Sequence, residues 1–329
     1  METLKLFAPF ENANFDDNTC FLTGEDISDS NNNLTVFPKW VMEKYGYKEQ
    51  SFKMMDNVTS IKYKDLKLPC SQTVKTAFNE LDAAIENAFT NGYSDVNSLS
   101  EQQLFLWMGR MVYGVLYHDL LLEKKKKAEG EFSVSLRLKE RFGLFHLMLQ
   151  SIISPISFGK LKPWSIAIVK LKYSKDIFNY RDDTINLMFT LGMNGFGIVA
   201  SLQDNGAVLN EHKTLLKKIG DSELHPVQFE ELCARFIYSK YLLQYKPQYK
   251  VEHNESTMLI ESLPITVTDN RPIFAKWDDN MFAQVLAEYW KPWGLTKKEI
   301  IQFPNAPISY LENERTYDFV EPESISLPF

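Results

Sequence analysis

An apolar run from Leu104 to Leu122, entered through Ser98 or Ser100 and left through Lys124-Lys125-Lys126-Lys127, constrains this chain more than any other stretch. A serine side chain accepts from a first-turn N–H, Glu101 suits that first turn, and lysines suit the end where the helix dipole is negative. The spacing therefore predicts a long core helix with a basic C-terminal end, which other elements must surround. Contact with phosphate is the alternative reading of the lysine run.

Other segments follow the same logic. Phe37-Pro38-Lys39-Trp40 leads into a short helix, Trp40 to Tyr45, ended by Gly46. Thr73 to Phe89 carries an apolar stripe of Val74, Ala77, Phe78, Leu81, Ile85 and Phe89, and a further helix runs from Ser133 to Ile153. After Pro155 the pattern changes: Trp164 to Tyr173, Ile185 to Leu191 and Phe196 to Leu202 read as strands, with Asn194-Gly195 as a hairpin turn. Gly192, Gly195 and Gly197 belong to that hairpin rather than to a phosphate loop, because a strand follows where a phosphate loop opens a helix. Pro226 to Tyr245 reads as a helix, Met258 to Ile265 as a strand, and Asp278 to Trp290 as a helix. From Ile301 on, Pro304, Pro307, Pro322 and Pro328 predict an extended surface segment.

The chain is thus expected to be α+β. Its 329 residues divide into an N-terminal unit over 1–92, a helical unit over 93–155 and a third over 156–329 around an antiparallel sheet. A net charge of −7, with the acidic excess heaviest in the first ninety residues, disfavours nonspecific nucleic-acid binding. No run of about 18 uninterrupted apolar residues occurs, and the N-terminus lacks the basic-then-apolar order of a signal peptide. These features, with three widely spaced cysteines (Cys20, Cys70 and Cys233), predict reduced thiols and a cytoplasmic protein.

One constellation stands out in the first hundred residues. Cys20-Phe21-Leu22-Thr23-Gly24 is followed by Leu34-Thr35-Val36-Phe37-Pro38-Lys39-Trp40, then by Leu68-Pro69-Cys70-Ser71 and Asn79-Glu80-Leu81, and Trp107 lies further on. In order and flanking residues this resembles bacterial HNH-type endonuclease proteins over about residues 15–120. That family has two C-x-x-C pairs around a Glu-His-Val-Phe-Pro-x-Trp-like segment. The resemblance implies a treble-clef or ββα-like unit with zinc ligands at Cys20, Thr23, Lys67 and Cys70, a general base at Thr35, and Ser71 where an asparagine is usual. Only the two cysteines retain metal-binding chemistry, and a threonine hydroxyl cannot take a proton from water near neutral pH. Asp26, Asp29 and Asp65 are the acidic residues in reach of completing the site, though their spacing does not favour them. Without metal, Phe15, Phe21, Phe37, Trp40 and Phe78 are available to build the core.

Elsewhere, His118 and Asp119 are adjacent helix positions that do not face each other. His146 sits among apolar residues as a core histidine, and His212, His225 and His253 lie near element ends. Glu230-Glu231 and Asp278-Asp279 suit helix N-terminal turns. Tyr238, Tyr241, Tyr245 and Tyr249 form either a partner-facing helix stripe or a stacking ladder for bases, the former being preferred. The expectation is a non-catalytic binding or assembly protein with a protein partner or a second copy of itself, no catalytic residues, no bound cofactor and no membrane association. A nuclease that completes an atypical zinc site is the alternative.

Overall fold

The computed structural model describes residues 6–28, 32–128, 130–174, 177–266, 271–302, 306–313, 315–325 and 327, with Gln302 by its backbone alone. The chain forms two units. One comprises Met1–Ala88, Leu99–Gly159 and Lys250–Ile260; the other comprises Phe89–Ser98, Lys160–Tyr249 and Glu261–Phe329. Where the sequence suggests a break near 92 between an N-terminal and a helical unit, the long helix shares a core with the N-terminal segment, because a helix apolar on every side can be covered only by drawing in neighbours.

In the first unit, β1 (Asn33–Thr35) leads to α1 (Lys39–Lys44), a hairpin of β2 (Ser51–Lys53) and β3 (Ser60–Lys62), then β4 (Lys67–Pro69) and α2 (Gln72–Asn91). β1 pairs antiparallel with β4, Leu34 opposite Leu68. The stripe predicted for α2 is buried at Val74, Phe78, Leu81, Ile85 and Phe89. Beyond α3 (Tyr93–Ser98), which belongs to the other unit, Ser100 closes a capping box with Gln103 and opens α4 (Glu101–Lys125). Sixteen consecutive or near-consecutive residues of α4, from Leu104 to Leu121, are buried, and Gly114 lets Val36 approach so closely that an added Cβ would sit 2.6 Å from its methyl carbon. Phe10, Phe15, Phe21, Tyr113 and Tyr117 interlock with ring centroids 5.2 to 6.3 Å apart, a spacing at which edge and tilted contacts are favourable. The lysine run is tied down locally: Lys124 donates to the Phe15 carbonyl, Lys125 pairs with Asp17 and Lys126 with Glu123.

α5 (Leu136–Leu149), capped by Ser135, and β5 (Ile156–Phe158) follow. On α5, His146 is wholly buried; its Nε2–H donates to the Phe21 carbonyl at 2.8 Å while Nδ1 accepts from Gln150 at 3.3 Å. Burial pushes its pKa down to about 4. The imidazole is therefore neutral when folded but charged when unfolded between about pH 6.5 and 4, so its contribution is intact above 6.5 and is lost as pH falls through that window. His146→Gln should flatten the pH dependence of unfolding: between pH 7 and 5 the variant loses about 2 kcal/mol less than the parent. Urea titrations that run parallel for the two proteins would contradict this.

The second unit is built on a five-stranded sheet. β6 (Ser165–Leu171), β7 (Asn179–Asp183), β8 (Met188–Met193) and β9 (Phe196–Ser201) precede α6 (Ala207–Glu211), α7 (Lys213–Ile219), β10 (Glu223–Leu224) and α8 (Pro226–Leu242). The strand order is β10-β6-β9-β8-β7, antiparallel throughout except for β10 beside β6. Asn194 (φ 41°) and Gly195 (φ 84°) make the two-residue turn between β8 and β9, as Asn-Gly favours. Gly192 and Gly197 face each other across that hairpin, and the ring of Phe229 from α8 lies over them, 2.4 Å from where a Cβ on Gly197 would be. The glycines thus make a bed for an aromatic ring.

The remaining elements are β11 (Tyr249–His253), β12 (Met258–Ser262), α9 (Asp279–Trp290) capped by Asp278, α10 (Lys297–Ile300), β13 (Ile301–Gln302) and β14 (Ala306–Pro307). β12 runs parallel to β5, Met258 opposite Ile156. The C-terminal segment differs from the extended surface tail that its prolines suggest. Leu311 is fully buried, and the equally buried Glu231 carboxylate accepts from the backbone N–H groups of Tyr310 and Leu311 and from the Ser309 hydroxyl. Pro304 and Pro328 lie outside the described residues. Among the described residues no helix is long and apolar enough to cross a membrane.

Candidate functional site

A tight turn begins the constellation singled out in the sequence. Gly24 N–H donates to the Cys20 carbonyl at 3.0 Å and Cys20 N–H to Glu25 at 2.8 Å, with Gly24 supplying φ 73°. Cys70 lies two residues before α2, its N–H on the Asn32 carbonyl at 3.2 Å. Phe21 N–H donates to the Pro69 carbonyl at 2.8 Å, and this bond joins the two peptide units that flank the cysteines. The fold therefore brings the two thiols, fifty residues apart in sequence, into one enclosed place. Both are 0% exposed. Burial, followed by the nearby Cys20 thiol, pushes the Cys70 thiol up to about 12. Tyr113 and Tyr117 on α4 enclose the same place; burial first, then each other and Cys20, hold the Tyr113 phenol protonated.

The remaining positions of the motif are dispersed. Thr23 stays in the turn, its Oγ1 accepting from Glu25 N–H at 3.4 Å. Lys67 is exposed, and its carbonyl accepts from His118 Nε2 at 2.9 Å. Asp26 turns back on the Ser28 N–H and Asp65 is exposed, while Asp29 lies outside the described residues. Structural zinc needs four convergent ligands. Two thiols, a threonine and an exposed lysine supply only half of that set, and among the described residues no three His, Cys, Asp or Glu side chains come together as a metal site.

Thr35 lines a groove of about 320 Å³ between β1, α1 and α2. Trp40 forms one wall, and Lys75, Asn79, Asp82 and Glu86, three or four residues apart on α2, form another. Asp82 is already engaged. Arg110, in the middle of α4 and 0% exposed, reaches it with two parallel bonds of 2.9 Å and lies over the Phe78 ring at 5.3 Å. The sequence reading missed this pair, although a lone arginine within an apolar helix is a signal that a carboxylate must meet it.

The other sequence candidates do not assemble into chemistry. Burial lowers the His118 pKa, and Asp119 bonds the Met55 N–H instead of orienting that ring. His212 stacks on Phe236 and contacts Ser239 at 2.9 Å, and His225 caps α8. Glu230 and Glu231 lie in the N-terminal turns of α8 as expected, but both are buried and paired, respectively with Arg181 and Arg235. The four tyrosines share no face either, since α8 stops at Leu242 and only Tyr238 and Tyr241 lie on it, the first 5% and the second 52% exposed. Compared with family models, curated proteins and solved structures, the chain matches none.

Proposed function

We propose that this chain is a non-catalytic binding or assembly protein built on a degenerate HNH-like scaffold, recruiting a protein partner or a second copy of itself. The observation that carries this reading is the pair Cys20 and Cys70: two buried thiols, one held up to about 12, with Thr35 where the base would stand. A turn bearing one cysteine, a pair of short strands and a cysteine just ahead of a helix follow the order of a treble clef. Two thiols are half of a structural zinc's ligand set and a hydroxyl is no general base, so the reading keeps the scaffold and gives up hydrolysis. Three free cysteines suit a reducing compartment, and the cytoplasm belongs to the same proposal.

The test is metal analysis and thiol counting on protein purified without chelator or histidine tag, together with incubation with DNA and RNA in the presence of divalent cations. Less than about one-tenth equivalent of zinc is expected, with thiols that react only in denaturant and nucleic acids left intact. Stoichiometric zinc, with cleavage abolished by Cys20→Ala or Cys70→Ala, would replace this reading with the nuclease alternative.

A further inference from the structure

The strand that borders the groove leaves the main chain of Thr35 outside its ladder. Val36 N–H donates to the Leu66 carbonyl and Cys70 N–H to the Asn32 carbonyl, which makes Leu34 and Leu68 the bonded pair between them and leaves Thr35 in a non-bonded pair with Lys67. Residues in such pairs turn their N–H and C=O away from the partner strand. On β4 the outward carbonyls are in use, that of Lys67 by His118 and that of Pro69 by Phe21. On β1 the main-chain N–H and C=O of Thr35 face outward at the groove, and no partner meets them among the described residues.

We infer that this groove takes an extended peptide, which adds as a strand to β1 through the main chain of Thr35 and lies between that edge and α2. This rests on the non-catalytic reading and names its partner chemistry. A main-chain donor and acceptor on one open edge select a polypeptide over a small molecule. The charges select further. Asp82 is neutralised by Arg110, and the two lysines lining the groove, Lys39 and Lys75, are balanced by Glu43 and Glu86, so a phosphate backbone finds no excess of positive charge. Lys75 and Glu86 lie on the same wall, eleven residues and therefore about 16 Å apart along the helix. That distance is spanned by about five residues of extended chain. Because alternate residues of a strand share a face, the complementary peptide has an acidic residue over Lys75 and a basic residue four or six positions away toward Glu86, with a side chain between them against Trp40.

The experiment pans a phage-displayed library of random heptapeptides against the full chain and measures the enriched sequence as a fluorescent synthetic peptide. Enriched peptides should carry an acidic and a basic residue at that separation. The Lys75→Glu/Glu86→Lys variant should bind such a peptide roughly tenfold more weakly and prefer the same peptide with its two charges exchanged. N-methylation of the peptide at its central residue should weaken binding to the unaltered protein by a similar factor, a readout that needs no protein variant. Absence of any enriched peptide overturns the inference, as does binding indifferent to both the charge exchange and the N-methyl group. Either failure in protein that leaves nucleic acid intact removes the peptide groove alone, whereas cleavage of nucleic acid removes the reading beneath it.

Discussion

Asp82→Ala should destabilise the first unit by about 3–5 kcal/mol, whereas Arg110→Met should cost far less. The asymmetry follows from where each partner sits. The Arg110 side chain is 0% exposed and that of Asp82 16%. Without Asp82 the guanidinium stays buried against Phe78 with no anion, and from the middle of α4 it has no path to water. Without Arg110 the carboxylate recovers solvent through the groove it lines, and methionine fills the vacated volume. Combining Asp82→Leu with Arg110→Met should recover most of the loss. Urea unfolding of the three variants checks this, and equal costs for the two single substitutions would show that the pair does not work as described.

Phe229→Ala should remove about 3–5 kcal/mol from the second unit, because a ring only 2% exposed leaves both a cavity and two uncovered glycines. Gly197→Val should also be severe, since any side chain there enters the Phe229 ring. The distinguishing measurement is the cycle between them. With the ring gone, the valine has room, so the double variant should be more stable than the sum of the single effects by at least about 1 kcal/mol. Strict additivity would mean that Phe229 does not rest on this glycine.

The sequence patterns read most clearly where one face of a regular element is apolar. The α2 stripe, the long α4 helix and the Asn194-Gly195 turn all lie where periodicity and turn chemistry put them. β7 escaped because Asn-Tyr-Arg-Asp-Asp has no apolar alternation; as an edge strand with all five residues half-buried, it needs none. The adjoining strand starts at Met188 rather than Ile185, because the chain first turns through Leu187 at φ 56°. The short helices α6 and α7 were missed too: α6 starts after Gly206 in a left-handed conformation, with its first turn held by the buried Asp204 carboxylate. At the candidate site, the approach of Cys20 to Cys70 was readable from the motif order. The Asp82–Arg110 pair was not, since it joins residues 28 positions apart on two different helices. Local periodicity records what a helix buries and is silent on which charge meets it.

The parallel pairing of β12 with β5 places a condition on the nascent chain. The first unit is closed by residues 250–260, on the order of 100 residues after the segment that ends at Gly159. At roughly 5–20 residues per second of synthesis, β5 waits about 5–20 s for its neighbour. Throughout that interval the ribosome carries a nearly complete α-helical core with one unmatched strand, a period in which a chaperone or a second emerging chain has access to the edge that β12 will later occupy.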